Sequence, residues 1–190
     1  MSESVRCFMA VDFEEADVRR KLVSALKTLE RTGADLRPVE PENIHITLRF
    51  LGETRQRVVD EVIEQVSTVE LRPFRAEIRG VGVFPGLSRP RVIWAGCRKG
   101  EKELEELYSQ IESRLRGLGI RPEDNQFHPH LTLARVRSGR NRDQLVEQIT
   151  KLSDEDFGEI VVNSFQLKKS TLTPRGPIYA TMKSFAARGG

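Results

Sequence analysis

Hydrophobic positions along the chain alternate between the spacing of a strand and the spacing of a helix. Short apolar runs bounded by turn residues are typical of buried strands, whereas apolar residues every three or four positions predict amphipathic helices. In the first half these patterns predict, in order, a strand at Val5–Val11, a helix at Glu14–Thr32, a strand at Ile44–Leu51, a helix at Thr54–Thr68, and strands at Phe74–Val83 and Arg91–Gly96.

The second half of the chain repeats this order. It predicts a helix at Glu101–Leu118, a strand at His130–Val136, a helix at Asn141–Leu152, and strands at Glu159–Lys168 and Ile178–Phe185. The segment PENIHITLRFLGE aligns with NQFHPHLTLARVR, and the helices that follow carry VIEQV and LVEQI. A repeat of about 85 residues is too long for a solenoid unit and indicates a duplicated lobe.

This repeat predicts an α+β fold of two duplicated lobes around a central cleft. Each lobe should hold an antiparallel sheet and two helices, and a pseudo-twofold axis should relate the lobes. Residues 1–190 would then form a single domain of two lobes, roughly one per sequence half, allowing for strands exchanged between them.

Composition and charge narrow the class of protein only slightly. A chain of 190 residues with a net charge of +3 suits one compact domain, and the charge permits a polyanionic ligand without requiring one. Cys7 and Cys97 lack metal-ligand spacing, so we expect buried free thiols. The N-terminal segment lacks a signal-peptide pattern, and no apolar stretch has membrane-spanning length. We therefore expect a cytoplasmic protein that does not enter a membrane. We also expect a monomer.

Two of the three histidines open the same short motif, His-x-Thr-x, at equivalent points of the repeat. Because residues i and i+2 of a strand share a face, His45 shares its face with Thr47 and His130 shares its face with Thr132. The alternation points the intervening and flanking residues into the core: Ile44, Ile46, Leu48 and Phe50 around the first motif, Leu131 and Leu133 around the second. A single motif of this kind is usually structural, but its recurrence in both copies of a repeat indicates a functional site.

Two imidazoles and two hydroxyls on one face suit displacement at phosphorus. The attacking and leaving oxygens occupy opposite apices, and charge spreads over the oxygens between them. One imidazole can take a proton from the nucleophile while the other gives one to the leaving oxygen, since the ordinary histidine pKa lies near neutrality. Threonine hydroxyls can donate hydrogen bonds to the charged oxygens. The motifs therefore predict a phosphodiester-cleaving site without a metal or cofactor, and this symmetric argument does not assign the two proton roles.

Several neighbouring residues are weaker candidates. His128 could imitate a metal pair with His130, but the sequence has no further cluster to complete a metal shell, which favours a loop or supporting role. Phe84, Phe127 and Tyr179 could stack a nucleobase, although core packing is the more common role of such rings.

Arg49 and Arg135 are tentative substrate-binding residues, because a nearby cation would strengthen phosphate binding. Regular alternation places Arg49 on the front face with His45 and Thr47. It points Arg135 backward unless a bulge or a strand end reverses that direction. A solvated surface arginine is the alternative interpretation for each.

The segments IHITLRFLGE and FHPHLTLARVR resemble the two-histidine phosphoesterase superfamily. Within it they are most similar to the RNA 2′,3′-cyclic phosphodiesterase group, also called the 2′-5′ RNA ligase or LigT-like family. The resemblance extends over FMAVDF, PRVIWAG and SFQLKKSTLTPRGPIY, so it covers nearly the whole chain. It implies a bilobal α+β fold with both histidines in a central cleft.

The resemblance also implies a reaction and a role for each motif residue. The reaction is hydrolysis of an RNA 2′,3′-cyclic phosphate to a terminal 2′-phosphate. His45 would be the proton donor to the leaving 3′ oxygen, and His130 would be the proton acceptor from water. Thr47 and Thr132 would hold the phosphate. A reverse 2′-5′ ligation onto a 5′-hydroxyl RNA is implied at the same site.

Two other functions stay open at this point. The same chemistry could act on another cyclic nucleotide or a 2′-5′ phosphodiester, with the same catalytic residues and a different cleft rim. Alternatively, a non-catalytic module could keep the pocket only to bind RNA ends. Loss of one histidine would have favoured that module, and both histidines are present.

Overall fold

The computed structural model describes residues 4–188, which form four α-helices and nine strands. In chain order the elements are β1 Ser4–Val11, α1 Ala16–Glu30, β2 Leu36–Pro38, β3 Ile46–Arg55, α2 Gln56–Val66, β4 Phe74–Phe84, β5 Val92–Cys97, α3 Glu101–Gly117, β6 His130–Val136, α4 Arg142–Lys151, β7 Asp156–Val162, β8 Ser164–Thr173 and β9 Gly176–Ala186. The predicted α+β class is confirmed. The short strand β2 was not predicted, and the strand predicted at 159–168 is two strands that separate at Asn163.

The strands form one antiparallel sheet in the order β7-β4-β5-β6-β3-β1-β8-β9, with β2 added on β6. Its centre is narrow, because β3 and β6 pair through Ile46 and Leu131 alone. We call β3, β1, β8 and β9 the first half-sheet, and β6, β5, β4 and β7 the second half-sheet. Each half-sheet takes strands from both halves of the sequence, so strands are exchanged between the two copies of the repeat.

The first helix also crosses from one half-sheet to the other. Helix α1 follows β1 of the first half-sheet but packs on β6 and β7 of the second, beside α4. Helix α2 packs on β3 and on α3. The predicted apolar face of α1 is its buried face, made of Val18, Leu22, Ala25, Leu26 and Leu29. The two histidine motifs lie on neighbouring strands, β3 and β6, at the middle of the sheet.

Two general expectations were tested by the structure. Cys7 and Cys97 are buried free thiols, as predicted. No helix in the described part of the chain is long and apolar enough to cross a membrane.

Candidate active site

The two motifs meet at the single pairing of β3 with β6. Ile46 lies opposite Leu131, and the strands run antiparallel. Extending that register by one residue in each direction places His45 opposite Thr132 and Thr47 opposite His130. The four polar residues are thereby on one face of the sheet, with the pseudo-twofold axis passing between Ile46 and Leu131. We call this face the front face.

His45 is held firmly by its own motif. Its Nδ1 donates to the Asn43 carbonyl at 2.7 Å, and its Nε2 lies 2.9 Å from the Thr47 hydroxyl. Burial lowers the pKa of His45 to about 4, and the nearby charges of Lys168 and His130 add to this lowering. The carbonyl of Asn43 opposes the effect of burial. In the free protein His45 is therefore a neutral imidazole at neutral pH.

His130 has the same backbone contact and a freer ring. Its Nδ1 lies 2.6 Å from the carbonyl of His128, which matches the His45–Asn43 contact two residues upstream of the first motif. Burial lowers the pKa of His130 as well, and the charge of His128 lowers it further. Among residues 4–188, Nε2 of His130 has no hydrogen-bond partner. That nitrogen is free to take a proton.

A β-bulge follows the threonine in each motif. Ala10 pairs with Thr47 and Met9 with Arg49, so Leu48 is the extra residue of β3. Strand β6 shows the same irregularity, because Trp94 pairs with Thr132 and Ile93 with Ala134. The extra residues, Leu48 and Leu133, occupy the third position after each histidine. A bulge adds one residue to one strand and reverses the alternation beyond it.

The bulges correct three of the predicted side-chain directions. Arg49 does not share the front face with His45, because its side chain is only 5% exposed on the back of the strand. Phe50 was expected in the core, but it is 55% exposed. Arg135, which regular alternation points backward, is exposed, and its charge acts on Tyr179 of the first half-sheet. Phe50 and Arg135 thus occupy equivalent positions, five residues after their histidines.

Arg49 is occupied by protein partners. Its guanidinium forms a buried ion pair with Glu112 of α3 and lies 3.3 Å from Glu123. It also donates to the carbonyls of Phe50 and Arg121. A guanidinium with these partners has little capacity left for a ligand. Arg49 was predicted as a tentative substrate-binding residue, and these partners give it a structural role instead.

Comparison with known proteins identifies the family. The model of the LigT like Phosphoesterase family matches residues 13–94 and again residues 97–179. The chain belongs to the LigT-like phosphoesterase family. The predicted membership of the two-histidine superfamily is confirmed, and the two matches reproduce the repeat expected from the motifs.

Individual relatives cover most of the chain. The RNA 2′,3′-cyclic phosphodiesterase of Aeropyrum pernix is 41% identical over 162 residues, which is 85% of this chain and 92% of the relative. That of Archaeoglobus fulgidus is 40% identical over 181 residues, 95% of this chain and 99% of the relative. A crystal structure of a Thermus thermophilus protein has a TM-score of 0.75 at 34% identity, covering 97% of this chain and 98% of that one. Escherichia coli LigT complexed with 3′-AMP shares the fold, with a TM-score of 0.76 at 23% identity and coverage of 97% and 99%.

Each histidine of this LigT-like phosphoesterase lies beside two aromatic rings. His45 is 5.2 Å from Phe8 and 5.5 Å from Tyr179, measured between ring centroids. His130 is 5.0 Å from Phe84 and 6.4 Å from Trp94. Two of the proposed stacking candidates, Phe84 and Tyr179, therefore line the site. The third, Phe127, instead stacks on Tyr108 of α3 at 4.4 Å.

Sequence reasoning missed an ion pair beside His45, in which the lysine is buried and the aspartate is partly exposed. Nζ of Lys168 on β8 lies 2.8 and 2.6 Å from the two carboxylate oxygens of Asp12, and both charges act on the pKa of His45. Both residues belong to segments that carry the family resemblance, FMAVDF and SFQLKKS, and this was the only signal in the sequence. Their contact joins positions 156 residues apart, which periodicity does not connect.

His128 is exposed and contributes its carbonyl oxygen to His130. Within residues 4–188 no group of three histidine, cysteine or acidic side chains is arranged to hold a metal ion. The supporting role favoured from the sequence agrees with this carbonyl contact.

Proposed function

We propose that the protein hydrolyses terminal RNA 2′,3′-cyclic phosphates to 2′-phosphates. The observation that carries the proposal is the pairing of Ile46 with Leu131. With that register, β3 and β6 each offer one imidazole and one hydroxyl to the front face. In-line displacement at phosphorus needs a proton carrier at each apex and hydrogen-bond donors between them. Relatives at about 40% identity are named RNA 2′,3′-cyclic phosphodiesterases, which supports this substrate.

In this proposal His45 gives a proton to the leaving 3′ oxygen, and His130 takes one from the attacking water. The water oxygen forms the new bond to phosphorus, the bond to O3′ breaks, and the phosphate stays on O2′. A neutral His45 in the free enzyme must first acquire its proton. The negative charge of the bound phosphate favours the protonated imidazole, so substrate binding would raise the pKa of His45 from about 4.

The phosphate would be held by Thr47, Thr132 and Arg135. The Thr47 hydroxyl already lies at hydrogen-bond distance from His45, so it can orient the imidazole and reach a phosphate oxygen. Arg135 faces the front because of the bulge, and its exposed guanidinium can add a charge-assisted bond. The RNA end is thus the proposed partner, and the cytoplasmic and monomeric states stay predictions.

The test is incubation with an oligonucleotide that ends in a 2′,3′-cyclic phosphate, in the presence of EDTA, followed by identification of the product end. A 2′-phosphate is expected. We expect His45→Ala and His130→Ala each to lower kcat by about 10²- to 10⁴-fold, because each removes a general acid or base. A 3′-phosphate product would mean that the leaving oxygen is assigned wrongly. Full activity in both variants would refute two-histidine catalysis.

A further inference from the structure

The pseudo-twofold symmetry does not extend to the residues beside the two histidines. On the second half-sheet His130 pairs with Gly96 of β5, which has no side chain. On the first half-sheet the register of β1 with β3 places Asp12 at the corresponding position beside His45. Asp12 and Lys168, which is only 7% exposed, fill that space with an ion pair. One imidazole is therefore enclosed, whereas the other opens sideways.

The opening beside His130 is a cavity of about 390 Å³. Its lining includes Phe84, Trp94, Gly96, Arg98 and Ser153, and its size is within the range of small-molecule pockets. A Cβ at Gly96 would lie 3.2 Å from the Trp94 ring, so the glycine allows the indole to lie beside the cavity. Nε1 of Trp94 is buried without a hydrogen-bond partner among residues 4–188. The indole therefore contributes an apolar wall to the cavity rather than a hydrogen-bond donor.

The charges around the cavity are paired with one another. Arg79 binds both carboxylate oxygens of Asp154, at 2.9 and 3.0 Å, and Arg98 lies 3.4 Å from the same carboxylate. Glu101 adds a further acidic group to the lining. The cavity thus has aromatic walls and little uncompensated positive charge, which suits an uncharged nucleoside better than a phosphorylated one.

We propose that this cavity binds the nucleoside that carries the attacking hydroxyl, namely the 5′-hydroxyl end of a second RNA chain. The proposal rests on the proposed function, in which His130 takes the proton of the attacking oxygen. In this step O5′ bonds to phosphorus while the bond to O3′ breaks. The proton of the 5′-hydroxyl moves to His130, and His45 protonates O3′, so a 2′-5′ diester forms without a co-reactant. Water at the same apex gives hydrolysis. The proton roles are exchanged only when that diester is cleaved back.

Occupancy of the cavity can be measured without turnover, because Trp94 is the sole tryptophan of the chain. Adenosine should change the tryptophan fluorescence saturably, and it should still do so with inorganic phosphate saturating the site between the histidines. Adenosine 5′-phosphate should bind about tenfold more weakly, since its charge meets Glu101 without a free cation. The absence of a fluorescence change, or mutual exclusion of adenosine and phosphate, would overturn the proposal.

A kinetic experiment separates the cavity from the catalytic centre. Adenosine 2′,3′-cyclic phosphate is incubated with excess adenosine, and the 2′-5′ dinucleotide is compared with adenosine 2′-phosphate. Ser153→Phe, at an exposed turn on the cavity rim, should lower the ratio of ligation to hydrolysis by about tenfold and leave hydrolysis within about twofold. Ser113→Phe, on the exposed side of α3, is the matched control and should change neither.

Two results of this experiment would contradict the cavity assignment. An unchanged ratio in Ser153→Phe would show that the cavity does not take the attacking nucleoside. A parallel loss of hydrolysis and ligation would place the base of the cyclic nucleotide there instead. Failure of the parent enzyme to hydrolyse the cyclic phosphate would refute the proposed function itself, which this readout distinguishes from failure of the cavity assignment.

Discussion

The two His-x-Thr-x segments have nearly the same backbone and very different surroundings. Both histidines contact the carbonyl two residues upstream, and both motifs contain a bulge at the third residue after the histidine. His45, however, is enclosed by the Asp12–Lys168 ion pair and bonded to a threonine hydroxyl. His130 borders an open cavity. Duplication thus supplies two equivalent imidazoles, and their neighbours make them chemically unequal.

The equivalent positions after the bulges show the same divergence. The first motif presents the exposed ring of Phe50, which lies 5.8 Å from Phe8, and the second presents the cation Arg135. An anionic phosphate between the strands would have a cation on one side and an apolar surface on the other. The asymmetry lies in side chains, because the backbone of the two motifs is shared.

The largest expected effect is a difference in stability between variants of Arg49 and of Arg135, the two arginines that follow the motifs. Arg49→Gln should lower the free energy of unfolding by about 3–5 kcal/mol, because it leaves Glu112 charged and unpaired in the interior. Arg135→Gln should change that free energy by less than about 0.5 kcal/mol, since its side chain is exposed. It should instead raise KM for the cyclic phosphate. Urea unfolding and steady-state kinetics of both variants measure these effects.

A matched control for the first variant is Glu123→Gln, which removes the more exposed partner of Arg49 and should cost less stability than Arg49→Gln. Equal unfolding midpoints for Arg49→Gln and the parent protein would show that the ion pair does not stabilise the fold. An unchanged KM in Arg135→Gln would remove this residue from the proposed phosphate site.

Local pattern predicts most of the elements and both motifs, but it does not predict the directions of residues beyond a bulge. The strand at His130–Val136 and the buried face of α1 follow from periodicity alone. The extra residue Leu48 arises from how β3 pairs with β1, a property of two strands rather than one. For that reason alternation misplaced Arg49 and Phe50. The Arg49–Glu112 pair joins positions 63 residues apart, so no local signal indicates it.

The second expected effect concerns stability against pH. His45 has a pKa of about 4 when folded and an ordinary pKa near 6.5 when unfolded, so between these values only the unfolded chain gains the proton. The free energy of unfolding should therefore fall as the pH drops from 6.5 to 4, by on the order of 3 kcal/mol from this group. His45→Gln should flatten that window more than His130→Gln does. Unfolding midpoints at several pH values measure the difference, and equal flattening would contradict the inequality of the two sites.

The smallest expected effect uses the ion pair beside His45. Lys168 lowers the pKa of His45 and Asp12 raises it, so Lys168→Met should raise that pKa and Asp12→Asn should lower it. In the pH profile of kcat/KM the lower limb belongs to the histidine with the lower pKa in the free enzyme. We therefore expect the acidic limb to move to higher pH in Lys168→Met and to lower pH in Asp12→Asn.

The plateau of the same profile then distinguishes the proton donor from the acceptor. If His45 is the donor, the productive form carries its proton on His45, and raising the pKa of His45 makes this form more abundant. The plateau should rise by about threefold in Lys168→Met and fall by a similar factor in Asp12→Asn. A plateau that stays nearly constant in both variants would assign His45 as the acceptor and His130 as the donor, because the form with neutral His45 and protonated His130 already dominates between the two pKa values. Thermal unfolding of both variants serves as the control, because a shift caused by general destabilisation would lower the plateau in each.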